Sequence, residues 1–152
     1  MRNARRVSLM ATAALLASAA AAAQAAEPAE IVKYRQAMMK ANGAHMSAAA
    51  SIIFGKVDFK SDLGEHVRAL QAINREIPTL FPAGSTSADS AALPAVWMSH
   101  DDFLKRAAAA AQRAEALAKA VAAGDTKSYA ARFGELGDAC KACHKDYRMN
   151  PK

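Results

Sequence analysis

Six residues toward the carboxyl end, Tyr129, Phe133, Leu136, Cys140, Cys143 and Tyr147, follow one another at steps of 4, 3, 4, 3 and 4. That spacing places them in one stripe of an α-helix. Both of the chain's 2 cysteines therefore lie on a buried helical seam. They also belong to Cys140-Lys141-Ala142-Cys143-His144, which has the form of a c-type haem attachment motif. The chemistry needs each of these residue types. Two thiols three residues apart add to the two vinyl groups of one porphyrin as thioethers, and the adjacent imidazole is held under the iron as proximal ligand. The competing readings are a disulfide or redox-active pair, and a structural zinc site, which one histidine and two cysteines leave one ligand short. The expected cofactor is one covalently attached haem c, with Cys140 and Cys143 as the thioethers and His144 on the iron.

The amino terminus is consistent with export. Arg2, Arg5 and Arg6 form a positive segment, Val7 to Ala23 is uncharged and dominated by alanine and leucine, and small residues offer cleavage at Ala21-x-Ala23 or Ala23-x-Ala25. Residues 1–25 are thus expected to be a removed signal peptide, and 26–152 one domain. As a membrane anchor the segment is short and poor in large apolar groups, so no stable membrane insertion is expected after cleavage. Export joined to a haem motif points to the periplasm of a Gram-negative bacterium. Loss of the leader's three arginines lowers the formal charge from +6 to about +3. No basic patch with interleaved aromatics is present, which argues against nucleic acid as a partner.

Alanine-rich runs alternate with short Pro/Gly/Ser stretches and predict an all-α chain. Glu27-Pro28-Ala29-Glu30 suits a helix start, and the first helix is expected to run to Phe54 or Gly55. Ser61 or Asp62 caps a second, carrying Leu63, Val67, Leu70, Ile73 and Ile77, which Pro78 stops. Phe81 to Pro94 reads as a loop. A third helix is expected over Ala95 to Ala123, ending at Gly124, with Trp97 packing near its start where the indole N–H needs a partner. A fourth starts at Asp125 or Thr126 and reaches Tyr147. Gly134 and Gly137 within it are costly in a helix and suggest either close approach to a neighbour or the cofactor, or a break near residue 137. Four amphipathic helices without a strand signal predict an antiparallel four-helix bundle.

A haem motif near the carboxyl end of such a chain resembles the cytochrome c′ family, the class II c-type cytochromes. The resemblance is carried by Tyr34-Arg35-Gln36, Met38-Met39-Lys40, Gly43 and His45-Met46. It continues through Leu80-Phe81-Pro82, Leu93-Pro94-x-x-Trp97, and Gly137-x-x-Cys140-Lys-x-Cys143-His144-Lys-x-Tyr147-Arg148. It implies a left-handed bundle with the haem among the helices and His144 as proximal ligand. It further implies Arg35 near a haem propionate, Arg148 bordering the proximal face, and homodimers through the first two helices.

Function turns on the distal side of the iron. Spacing does not choose among Met38, Met39 and Met46, since methionine is also a good core filler. The family register puts Met39 at the position that is non-ligating in gas-binding members. A methionine there resembles the low-spin cytochrome c556 branch with His/Met ligation, and a thioether ligand favours reduced iron. The expectation is accordingly a non-enzymatic, periplasmic carrier of one electron between redox partner proteins, with Met39 and His144 on the iron. The alternative is a five-coordinate cytochrome c′ binding nitric oxide or carbon monoxide at an open or displaceable distal site. A peroxidase-like enzyme lacks a distal histidine-arginine pair. His45, His66 and His100 have no metal-ligand partners at recognisable spacing and read as surface or structural residues.

Overall fold

Pro28 opens the first helix, where its missing N–H costs nothing, and Glu30 lies in the first turn at the positive end of the helix dipole. The computed structural model describes residues 26–149; the expected signal segment, residues 1–25, lies outside the described residues. Helix α1 spans Pro28–Ile53 and stops where Gly55 takes a φ of 67°, a left-handed conformation that glycine adopts without steric cost. Helix α2 spans Leu63–Glu76. Asp62 precedes it as expected, but makes no side-chain capping hydrogen bond. Pro78 lies in a 3-10 turn, Ile77–Leu80, which ends the element.

The expected third helix is two. A single turn, α3 (Ala95–Met98), is followed by α4 (His100–Ala122), because Ser99 leaves the helical region at φ −118° and ψ 46°. Gly124, at φ 68°, closes α4. A 3-10 turn, Thr126–Ser128, leads into α5 (Tyr129–Tyr147), which continues unbroken through Gly134 and Gly137. A Cβ built on either glycine meets no atom within 4 Å, so neither serves close packing against another helix.

The long helices form an antiparallel bundle, and among the described residues there is no sheet, only an isolated bridge between Ala92 and Arg148. Three of its seams are closed: α1 packs along α2, α2 along α4, and α4 along α5. The fourth is not, since α1 and α5 scarcely touch. The core is divided accordingly. A larger cluster gathers Leu63, Val67, Leu70, Ala114, Leu117 and Leu136 with the far end of α1, and a smaller one is built on Val96, Phe103 and Tyr147. Small alanines, Ala107, Ala110 and Ala114, form the buried face of α4 and permit close helix approach. Across the α1–α2 seam the buried Asn74 donates to Asn42 Oδ1 (3.1 Å) and to Leu70 O (2.8 Å).

Candidate haem site

Helix α5 brings Cys140 and Cys143 to the junction of the two core clusters. Cys140 packs against the larger, Cys143 against the smaller, and both sulfurs are free. Burial pushes both thiols above their ordinary pKa, and at Cys143 the neighbouring Cys140 adds to the effect. His144 follows at an exposed point of the same turn. The protein mass around it, and then the positive charge of Arg148, hold its imidazole below the usual pKa. Both effects favour the neutral ring, the form that ligates a metal. Arg148 leaves the helix in extended conformation, donating its N–H to His144 O at 3.1 Å.

The last turn of α5 is fastened on two sides. Tyr147, buried, donates its hydroxyl to Asp102 Oδ2 at 2.7 Å and meets Phe103 edge-on at 5.4 Å between centroids. Arg106 reaches both Asp102 (3.2 Å) and Asp146 (3.1 Å). From the loop, Leu93 N–H donates to Tyr147 O (2.9 Å) and Met149 N–H to Ala91 O (2.8 Å). The hydrogen bond to Asp102, reinforced by burial, pushes the phenol up to about 12. Sequence reading placed Tyr147 in the stripe but not Asp102, its partner 45 positions away.

Arg35 is 3 % exposed and, among the described residues, has no carboxylate within ion-pair distance. Its guanidinium donates to Leu80 O (3.1 Å), Ser85 Oγ (3.0 Å), Ser85 O (3.1 Å) and Ser90 Oγ (2.9 Å). It also sits over the Phe81 ring at 4.5 Å, with Trp97 at 5.9 Å. Desolvation lowers its pKa. Trp97 Nε1–H finds its partner in Pro82 O at 3.0 Å. Of the methionines on α1, Met46 packs against the larger cluster, while Met38 and Met39 are half-buried and belong to neither. Met39 lies on the same face as the buried Arg35 and Asn42, four before and three after it. Of the remaining histidines, His45 and His66 meet across the α1–α2 seam, and His100 Nδ1 lies 3.2 Å from Val96 O.

These features suit a flat, anionic, covalently held ring. A thiol packs against each part of the divided core, α1 and α5 scarcely touch, and the buried Arg35 has no acidic partner among the described residues. A neutral imidazole accompanies the thiols. An all-α bundle with this donor set defines the class, a c-type haem protein. The chain belongs to the cytochrome c′ family, whose sequence model, described as Cytochrome C', matches residues 30–148.

Cytochrome c′ of Pararhodospirillum photometricum is 36% identical over 122 residues, covering 80% of this chain and 98% of that protein. Cytochrome c-556 of Agrobacterium tumefaciens is 34% identical over 119 residues, covering 78% and 96%. The nitric oxide complex of a leucine-to-alanine variant of cytochrome c prime from Alcaligenes xylosoxidans superposes with a TM-score of 0.76 at 27% identity, covering 84% of this chain and 100% of that one. The family carries one covalently attached haem c with its iron and is non-catalytic.

The expected low-spin His/Met carrier is corrected here. The matching family is five-coordinate through its histidine and binds nitric oxide or carbon monoxide at an open site, and the superposed structure holds nitric oxide. The physical reason lies in the weakness of the inference from Met39. A thioether is a pliable filler as readily as a ligand, so a place in the family register does not oblige a bond.

Proposed function

We propose that the protein is an exported cytochrome c′ that binds nitric oxide or carbon monoxide at a distal position left open by its own side chains. The observation that carries this reading is the unclosed α1–α5 seam beside the paired thiols, together with the likeness to a nitric oxide complex. When bound, the haem supplies an iron that takes one electron and a diatomic gas. The chain does the rest. Cys140 and Cys143 would hold the ring through two thioethers, and His144 would ligate its iron. Arg148 would lie near that histidine, and Arg35 near a propionate. Met39 would lend bulk beside the open coordination position and limit which ligands reach it.

Residues 1–25 direct export to the periplasm, and 26–152 form the haem domain. Redox partner proteins exchange the electron, and a second copy pairs through α1 and α2. No helix among the described residues is long and apolar enough to cross a membrane.

The optical spectrum of the reduced holoprotein tests the reading. A broad, unsplit high-spin band that shifts at once with carbon monoxide is expected. Sharp, split bands indifferent to the gas would overturn it. Met39→Ala keeps the high-spin spectrum and speeds carbon monoxide association, whereas Met38→Ala leaves the association rate unchanged.

A further inference from the structure

Two imidazoles meet where α1 packs along α2. His45 and His66, 21 positions apart in sequence, bring their Nδ1 atoms to 3.0 Å, with ring centroids 5.3 Å apart and planes inclined by 53°. The separation is that of a hydrogen bond, one ring donating N–H to the lone pair of the other. It is also the spacing of a chelate. With metal–nitrogen bonds of roughly 2.0–2.1 Å, two nitrogens on adjacent corners of a tetrahedral or square-planar ion stand about 2.9–3.4 Å apart. Aiming both lone pairs at one ion takes a turn of each ring about its Cβ–Cγ bond.

We propose that His45 and His66 form a metal site separate from the haem, a two-imidazole chelate for a divalent ion of the later first-row transition series. Imidazole nitrogens suit copper, nickel and zinc, and among divalent ions of that row a given nitrogen site binds copper(II) most tightly. Hard oxygen-seeking ions are disfavoured, because the pair offers only nitrogen and no carboxylate joins it among the described residues. Both rings are half-buried, so water completes the coordination sphere from the solvent side. The helices arrive at the site already registered by the buried Asn42–Asn74 hydrogen bond, between Asn42, three residues before His45, and Asn74, two turns beyond His66. Bound metal ties α1 to α2 more firmly, since a ligand of the native state alone stabilises that state.

Copper(II) titrated into the haem-loaded holoprotein at neutral pH tests this. Using the holoprotein keeps His144 committed to iron. One copper per chain is expected, with electron-paramagnetic resonance hyperfine structure from two nitrogens and a rise in the thermal unfolding midpoint. His45→Ala and His66→Ala each lose the two-nitrogen signature and the midpoint rise, and His100→Ala retains both. His66→Gln leaves a polar group at the seam but no imidazole, so it stays folded and still loses the signature. Failure of the wild-type protein to take up copper, or the same two-nitrogen signal in His45→Ala or His66→Gln, overturns the proposal.

Discussion

A guanidinium removed from water, with no protein carboxylate beside it among the described residues, must be held by neutral oxygens. Arg35 is held by four contacts to the loop between Leu80 and Ser90, with Phe81 packed over it. Replacing Arg35 with leucine strands two carbonyls and two hydroxyls and is expected to cost about 2–4 kcal/mol, read by urea unfolding of the holoprotein. Arg35→Lys recovers little of that, since a point ammonium cannot reproduce the planar fork. The family register singled out Arg35. Its partners were not legible. Ser85 and Ser90 lie 50 and 55 residues away in a segment whose composition reads only as a loop. The same limit explains Met39: spacing tells which face a thioether occupies, not whether it bonds to iron.

At the scale of an element, α5 depends on a fastening that titrates. Tyr147 gives its proton to a hydrogen bond with Asp102, and its pKa rises from 10.0 to about 12. A raised pKa means that the folded state holds the proton more tightly than the unfolded one. The contribution is therefore complete below about pH 10 and lost as the pH climbs to about 12. The thermal midpoint should fall across that window, and Tyr147→Phe should flatten the fall.

Helix α4 ends for a local reason, the left-handed conformation of Gly124. Gly124→Ala should cost about 1–2 kcal/mol in chemical denaturation. Periodicity and terminators made the four long helices readable. The break at Ser99 was not readable, because the residues on either side are compatible with one continuous helix.

On the scale of the whole molecule, α1 is held chiefly by α2. A Cys140→Ser/Cys143→Ser chain, which cannot form the thioethers, should therefore lose hydrogen-exchange protection first along α1, with α2, α4 and α5 retaining theirs longer. Equal loss along all four helices would show that the three closed seams do not stand alone. Deep in those seams, Leu117→Ala should cost about 2–5 kcal/mol by leaving a cavity, since Leu117 is fully buried. The bundle and its attachment motif were legible because both are written in local spacing. The open seam was not, being a relation between the first and last long helices.

That open seam also bears on how such a protein can diversify. Met39, half-buried on α1, belongs to neither packed cluster, so its size is not set by the jigsaw that constrains Leu70 or Leu117. On the proposed function, substitutions there change access to the iron while the scaffold stays intact. One lineage can thus retune its choice of visitor by single steps, at a position where selection for foldability is nearly silent.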